Sequence, residues 1–215
     1  MMLSIKQFTF NPFQENTYVL YSGSDAIIVD PGCYEKHEQE ELISFLDSKN
    51  LTPKMLVNTH GHIDHVLGNA FVKAKYKIPL YIHSLDVPLL AAVQTYASNY
   101  GFAGYQTSEA ENLLEEGSQH PLGDTSFSVL FVPGHAPGHT ALYFEKEQKL
   151  ISGDVLFYES IGRTDLPGGN HAVLLNSIRE KLYKLPDSVE VYPGHGPVTT
   201  IGHEKEFNPF CPENI

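Results

Sequence analysis

The sequence predicts one domain of mixed α and β structure, with sheets that contain both parallel and antiparallel strands. Short apolar or β-branched segments alternate with amphipathic helical segments along the 215 residues. The earliest strand segments follow one another closely, as in hairpins, which favours mixed sheets over wholly parallel ones. A composition of 41% apolar and 19% charged residues is typical of a globular chain. At this length about 70% of the unfolded surface can be buried, so a substantial core is available.

The N-terminal third is predicted to start with a meander of short strands at residues 5–10, 17–21 and 26–29. Asn-Pro and Ser-Gly-Ser-Asp segments between them supply the turns. Residues 35–49 have apolar side chains on one side and acids on the other, which predicts an amphipathic helix. A strand at residues 54–58 follows.

The remaining two thirds repeat the alternation of helices and strands. Helices are predicted at residues 64–76, 85–97 and 172–185, and strands at residues 79–83, 125–132, 140–144, 149–152 and 189–192. Residues 99–108 are rich in glycine and aromatic residues and are predicted to form a loop. Tyr100, Phe102 and Tyr105 make this loop either a cover over the active site or a surface loop packed on the core.

Charge and composition exclude several classes of partner. Fourteen basic against 26 acidic residues give a net charge of −12, and no cluster of lysine and arginine offsets it. A nucleic-acid partner or an anionic membrane is therefore not expected. No apolar run suits a secretory signal or a membrane span, and two cysteines make no disulfide framework. We expect a cytoplasmic protein acting on a small molecule; the oligomeric state is left open.

Histidine is the unusual residue, with 11 copies. Three of them lie with one carboxylate in the segment H-x-H-x-D-H, at His60, His62, Asp64 and His65, directly after a predicted strand. Residues two apart in extended chain point the same way, so His60 and His62 can bind one ion. Asp64 and His65 turn toward a second position where the next helix begins. Imidazole and carboxylate donors suit zinc, iron or manganese.

Three later segments repeat this placement. Pro-Gly-His ending at His135, Ser-Gly-Asp ending at Asp154 and Pro-Gly-His ending at His195 each follow a predicted strand. Ligand-type residues at several strand ends predict a preformed pocket at one edge of the sheets.

The order of these motifs, together with the early Asp30-Pro31-Gly32, resembles the metallo-β-lactamase superfamily over essentially the whole chain. Within it, the sequence is similar to short glyoxalase II-like (hydroxyacylglutathione hydrolase-like) hydrolases. This resemblance implies an αββα four-layer sandwich with two mixed sheets and the site at one sheet edge. It implies a first metal bound by His60, His62 and His135, a second bound by Asp64, His65 and His195, and Asp154 bridging them. Asp30 is expected to support the histidine-rich loop by hydrogen bonds, and His139 to be a buried, hydrogen-bonded histidine rather than a ligand.

The resemblance also implies a reaction. Two divalent ions, zinc preferred and iron or manganese as alternatives, share a hydroxide that attacks a carbonyl carbon. A thiolate is a good leaving group, so the expected activity is metal-dependent hydrolysis of a thioester or a related activated ester. Asp64, which orients the hydroxide, and the bridging Asp154 are the expected catalytic residues.

The chain departs from glyoxalase II in its substrate elements. It is expected to be a single domain over residues 1–215 that lacks the C-terminal helical extension by which glyoxalase II holds glutathione. Arg163 stands where the family has a lysine, and Asp165 replaces a tyrosine. Arg163 is a candidate to bind a substrate carboxylate, with a surface salt bridge as the alternative.

Two other functions stay open at this stage. The Gly-Arg-Thr-Asp stretch at residues 162–165 also resembles the persulfide dioxygenases of the same superfamily, which use a single iron. A non-catalytic metal-binding module is the alternative from another class. Metal identity and oxygen uptake would separate these functions from a two-metal hydrolase.

Overall fold

Two six-stranded sheets and a small ribbon organise the computed structural model, which describes residues 2–212. Residue 1 and residues 213–215 of the expected domain lie outside the described part. The strands are β1 (Ser4–Phe10), β2 (Glu15–Ser22), β3 (Asp25–Val29), β4 (Thr52–Val57), β5 (Leu80–His83), β6 (Asn112–Leu114), β7 (Gln119–Leu122), β8 (Thr125–Phe131), β9 (Thr140–Phe144), β10 (Lys149–Gly153), β11 (Leu156–Phe157), β12 (Ser160–Ile161), β13 (Glu190–Pro193) and β14 (Thr199–Thr200).

Both sheets are mixed, as predicted. The first runs β1-β2-β3-β4-β5-β6, antiparallel up to β3 and parallel from β3 to β6. The second runs β14-β13-β10-β9-β8-β7 and is antiparallel except for the parallel pair β10 and β13. Within residues 2–212, β11 and β12 pair only with each other. The parallel pairing matters for the site, because it brings the ends of β10 and β13 together.

Helices cover the outer face of each sheet. They are α1 (Lys36–Ser48), α2 (Ile63–Val66), α3 (Asn69–Tyr76), α4 (Val87–Tyr96), α5 (His171–Glu180) and α6 (Ile201–Phe207), with short 3-10 turns at Ser84–Asp86, Ala97–Tyr100 and Leu182–Lys184. No helix within residues 2–212 has both the length and the apolar character to cross a bilayer.

Strand periodicity explains the four layers. In β3, Ile27 and Val29 face the core between the sheets, whereas Ala26 and Ile28 face the core under the first group of helices. Such a strand is apolar on both faces because both are covered. β9 repeats the pattern, with alternate residues in the central core and in the core beneath α5 and α6. The αββα sandwich is thereby confirmed.

The predicted helix at residues 64–76 is in fact two helices, α2 and α3, that meet at Gly68. Its backbone N–H donates to Pro31 O at 2.7 Å. A Cβ there would lie 2.6 Å from Cys33 Sγ. The break therefore lets the chain pass close to the loop after β3, a contact that helical periodicity does not encode.

Several short elements were not predicted. They are β6, β7, β11, β12, β14 and α6. Most are two to four residues long, and such strands are held by partners distant in sequence rather than by a local apolar pattern. The predicted helix at residues 172–185 also ends early, at Glu180.

Candidate metal centre

Loops from both sheets converge at one edge of the sandwich and carry all seven predicted ligands. The loops follow β4, β8, β10 and β13. Backbone hydrogen bonds join them: Gly194 N donates to Gly153 O at 2.9 Å, and Thr140 N donates to Thr59 O at 2.9 Å. The first bond connects the ends of the parallel strands β10 and β13, and the second connects the two sheets.

The first group of donors consists of three imidazoles, those of His60, His62 and His135, whose donor atoms lie within 4.8 Å of one another. His62 Nδ1 is 2.8 Å from His135 Nε2, which is 3.2 Å from His60 Nε2. Three nitrogens that converge on one point form a suitable site for a transition-metal ion such as zinc.

The second group consists of Asp64, His65 and His195, again within 4.8 Å. Asp64 and His65 lie in the first turn of α2, as the sequence predicted. Asp64 Oδ2 is 3.2 Å from His195 Nε2 and 3.6 Å from His65 Nε2. This mixed nitrogen and oxygen set suits zinc, iron or manganese.

Asp154 lies between the groups. Its Oδ2 is 3.5 Å from His135 Nε2 and 3.5 Å from His195 Nε2, and its Oδ1 is 3.4 Å from His65 Nε2. One carboxylate thus reaches both groups, which is the position expected of a bridging ligand.

Carbonyl acceptors determine which nitrogen of two histidines faces the cluster. His135 Nδ1 donates to Arg163 O at 2.8 Å, and His195 Nδ1 donates to Gln14 O at 3.2 Å. A carbonyl can only accept, so each Nδ1 carries the proton. Each Nε2 therefore faces the other donors.

Asp30 orients two further histidines. Its carboxylate is buried and accepts from Thr59 N at 2.7 Å and from the Thr59 hydroxyl at 2.6 Å. The hydroxyl, having donated its proton, accepts from His60 Nδ1 at 3.0 Å. His65 Nδ1 lies 3.2 Å from the same carboxylate. Asp30, His60 and His65 are close enough to hold an ion. The carboxylate of Asp30 is already engaged in these hydrogen bonds, so it lies where it can support the histidine-rich loop.

His139 lies where it can support the backbone at Asp154. The backbone N–H of Asp154 donates to its Nε2 at 3.0 Å, and its buried ring stacks on that of His60 at 4.7 Å. Because this nitrogen is used, it is not available as a ligand. His139 thereby holds Asp154 in position.

The donor set fits cations. His65 Nε2 and Asp154 Oδ1 are buried and have no hydrogen-bond partner among the described residues. Unpaired buried polar atoms are costly, and a cation between these two would satisfy both. The carboxylates of Asp30 and Asp64 add negative charge around the same point.

Electrostatics differ between the groups. Burial lowers the pKa of His62 to about 3 and also lowers the pKa of His60 and His135. Burial acts in the same direction on His65 and His195, but the charges of nearby carboxylates outweigh it and raise their pKa. The histidines of the first group are therefore neutral and ready to bind, whereas His65 and His195 keep their protons to higher pH in the absence of metal.

The carboxylates of the second group and the bridge show the complementary effect. Burial acts to raise the pKa of Asp64 and Asp154, but the neighbouring histidines, His65 foremost, together outweigh it, so the pKa of each is lowered. Both are thus anionic ligands near neutral pH.

A cavity of about 640 Å³ opens above the donors. His62, Asp64, His135 and Asp154 form part of its lining. Its walls include the apolar and aromatic side chains of Phe13, Leu89, Ala92, Tyr96, Tyr100 and Leu166. A mostly apolar cavity that ends on polar groups is typical of a small-molecule site.

Arg163 lies at this cavity, but its charge is paired. Its side chain is 61% exposed, and Nε and NH2 donate to the two carboxylate oxygens of Asp165, each at 2.7 Å. Arg163 therefore lines the cavity, as expected of a residue that binds substrate, and also forms the ion pair expected of a surface residue. Its carbonyl, which orients His135, was not foreseen.

The loop at residues 99–108 is anchored at one end and faces the cavity at the other. Phe102 and Tyr105 are buried in the core, and Phe102 packs edge-on against Tyr34 at 4.9 Å. Tyr100 is 55% exposed and lies 6.1 Å from Phe13. The aromatic residues thus divide between the core and the cavity wall.

Two positioning features escaped the sequence analysis. Asn16 Nδ2 donates to Pro193 O at 3.0 Å and Gly196 O at 2.9 Å, and so holds the loop that carries His195. Asp86 is a buried carboxylate that accepts from two loop backbones. Neither has a local signal, because an asparagine near a turn and an aspartate at a helix start are common residues for those positions.

Known proteins resemble this chain in sequence and in fold. The family model described as the metallo-beta-lactamase superfamily matches residues 10–195. The hydroxyacylglutathione hydrolase GloC of Haemophilus influenzae is 34% identical over 97% of this chain and 98% of its own. The crystal structure of the BLEG-1 B3 metallo-beta-lactamase is 39% identical, with a TM-score of 0.84 over 97% of this chain and 99% of that one. The di-iron-bound structure of TTHA1623 is 37% identical, with a TM-score of 0.85 over 95% and 99%.

Proposed function

The chain belongs to the metallo-β-lactamase superfamily, and from this premise we propose that it is a metal-dependent hydrolase of a thioester or a related activated ester. The observation that carries the proposal is the pair of three-donor groups joined by Asp154 at a small-molecule cavity. The similarity to a hydroxyacylglutathione hydrolase supports the choice of thioester.

Two divalent ions fit the donors. His60, His62 and His135 would hold one, Asp64, His65 and His195 the other, and Asp154 both. Bound there, such ions supply a water of nearly neutral pKa and Lewis acidity toward a carbonyl group. Zinc suits the donors, and the di-iron form of a 37% identical protein supports iron as the alternative.

The residues of the chain itself supply orientation and substrate binding. The side chain of Asp64 is 14% exposed and faces the cavity, so its carboxylate can orient the attacking water by a hydrogen bond. Apolar walls hold the acyl or thiol part of the substrate and exclude water.

No side-chain nucleophile is needed. Burial raises the pKa of the Cys33 thiol, and that residue lies in the core under the helices, so it is an inert packing residue. A thiolate leaves without a strong general acid. Arg163 is the one lysine or arginine among the described lining residues of the cavity, and it is paired with Asp165. A leaving group that needs no added proton therefore suits this cavity.

Hydrolysis of a β-lactam is the second candidate. The 39% identity to the BLEG-1 B3 metallo-beta-lactamase favours it, and cleavage of a β-lactam amide makes similar demands on the metal centre. The two candidates differ in leaving group, since an amide nitrogen needs a proton and a thiolate does not.

The test combines metal analysis with a substrate panel. Protein purified with and without oxygen is assayed for zinc, iron and manganese, then tested with S-lactoylglutathione, S-acetyl and S-benzoyl thioesters, nitrocefin, and glutathione persulfide with oxygen uptake. We expect two ions per chain and thioester cleavage that is lost together with the metal in Asp154→Ala. One iron with oxygen uptake, β-lactam cleavage alone, or a metal-loaded protein inert to the panel would each contradict the proposal.

A further inference from the structure

A buried carboxylate outside the seven donors, that of Asp86, lies between the two loops that carry the first group. Its side chain is fully buried. Oδ2 accepts from the backbone N–H of Gly61 at 2.8 Å, and Oδ1 accepts from that of Gly138 at 2.5 Å. One residue therefore holds two loops from different sheets with charge-assisted hydrogen bonds.

Both contacts fall inside the histidine motifs. Gly61 separates His60 from His62, and Gly138 lies three residues after His135. The distance between these two backbones decides how closely the three imidazoles of the first group can approach one another. We propose that Asp86 is a positioning residue that sets this distance and thereby the metal affinity of the first group. The inference rests on the proposed two-metal function.

The two glycines support this role. A Cβ on Gly138 would lie 2.6 Å from Asp86 N and 2.8 Å from Asp86 Oδ1. A Cβ on Gly61 would lie 3.0 Å from Asp86 O and 2.9 Å from Leu90 N. Glycine is thus required at both places because the loops press against residue 86.

A capping role does not account for Asp86. It occupies the N-cap position of α4, where an aspartate ordinarily accepts from the first turn of its own helix. Here the side chain makes no such bond, and the backbone donors that it does accept from belong to the metal-binding loops. Gly61 lies between His60 and His62, and Gly138 lies in the loop that carries His135. Both donors are therefore next to first-group histidines, so the effect should be selective for the first group.

The test isolates each group before changing Asp86. In His195→Ala protein the first group remains complete, and in His135→Ala protein the second does. Asp86→Asn keeps the shape but turns one acceptor into a donor that faces a backbone N–H. Zinc affinity is measured by competition with a chromogenic chelator. We expect about a 10–100-fold loss in the His195→Ala background, the range typical of residues that support metal ligands, and less than a twofold change in the His135→Ala background.

Glu204→Gln is the matched control. Glu204 is also fully buried and accepts from Glu159 N at 2.9 Å, yet none of its hydrogen-bond partners is a donor of the cluster. It should lower thermal stability without a selective effect on either group. Equal losses in both backgrounds, or a loss no larger than that in Glu204→Gln, would overturn the role of Asp86.

A second variant covers misfolding. If circular dichroism shows Asp86→Asn to be unfolded, Gly138→Ala is measured instead, since its added methyl group pushes on Asp86 directly. The same selective loss is expected, and unchanged first-group affinity overturns the inference. Wild-type protein that binds no zinc, iron or manganese would refute the proposed function and this inference together. Wild-type protein with two ions and an Asp86→Asn protein that matches it would refute this inference alone.

Discussion

In four of the donor histidines, one ring nitrogen faces away from the other donors and makes a hydrogen bond to a neighbouring group. That bond determines which ring nitrogen is left to bind a metal ion. His135 and His195 donate outward to carbonyl oxygens, and Asp30 with Thr59 orients His60 and His65. These partners fix the tautomer and hold the rings before any ion binds. The sequence predicted the donor residues and Asp30, but the outer partners of His135 and His195 are backbone carbonyls, which carry no residue-specific signal.

The first prediction at this scale concerns pH. The pKa of His65 and His195 is raised by nearby carboxylates, so these histidines are protonated near pH 6 in metal-free protein, whereas those of the first group are not. Metal must displace these protons, so second-group affinity should fall as pH is lowered from 8 to 6, by about tenfold per pH unit for each proton displaced.

Metal content after dialysis at fixed free zinc checks this. We expect the ratio to go from two ions to one, with the His195→Ala variant unaffected over the same range. Loss of the first-group ion before the second would contradict the assignment of protons.

The second prediction concerns Arg163. Asp165 occupies the whole guanidinium edge, so Asp165→Asn should free that edge for a substrate carboxylate. We expect KM for the anionic S-lactoylglutathione to fall by about two- to fivefold, the range for exposed ion pairs, and KM for an uncharged thioester to stay constant. Arg163→Ala should raise the first KM only. If neither variant alters the KM of the anionic substrate, Arg163 is a surface ion pair and nothing more.

At the scale of elements, the points where strands and helices begin and end determine where the donor residues lie. The H-x-H-x-D-H motif changes from extended chain to helix at His62, which separates the donors for the first ion from those for the second. This boundary was predicted. The end of that helix at Gly68 was not, because the cause is contact with Pro31 and Cys33, which precede Gly68 by more than 30 residues.

The aromatic loop supplies the prediction at the scale of elements. Tyr100 is exposed at the cavity, so Tyr100→Ala should leave stability within about 0.5 kcal/mol but raise KM for thioesters with bulky apolar groups. Phe102 is buried, so Phe102→Ala should lower the free energy of unfolding by about 3–5 kcal/mol. Urea titrations and a KM panel separate the two effects. Unchanged KM in Tyr100→Ala across the panel would remove Tyr100 from the substrate site.

At the scale of the molecule, the sandwich gathers negative charge at one edge. The chain has 12 more acidic than basic side chains. Asp64 and Asp154 belong to the donor cluster and Asp30 lies beside it, and burial together with the charges of Asp30 and Asp64 raises the pKa of nearby Glu15 well above its usual value. Two divalent cations would offset four of these excess charges where they are densest.

Metal removal therefore should destabilise the whole fold. Because ions bind only the native arrangement, a free ion concentration of 100 times Kd adds about 2.7 kcal/mol to the free energy of unfolding per site. We expect chelation to lower Tm, and re-addition of zinc to restore it. Thermal scans with metal content measured in parallel check this. An unchanged Tm in protein verified to be metal-free would show that the donors do not couple to folding.

The sequence by itself determined the mixed α and β class, and it predicted the six donors of the two groups together with Asp154. The class and the H-x-H-x-D-H donors rest on local patterns, whereas the roles of His135, Asp154 and His195 rest on the order of motifs along the chain and their position after predicted strands. Tertiary structure alone decided the break at Gly68, the tie of Asn16 to the His195 loop, the pairing of Arg163 with Asp165 and the position of Asp86. Except for the pairing with Asp165, each of these depends on contacts between residues far apart in the chain, at distances that only the packed sheets determine. A carboxylate that accepts two backbone N–H groups leaves no trace in the residues that donate them, beyond the glycines that let the loops come close.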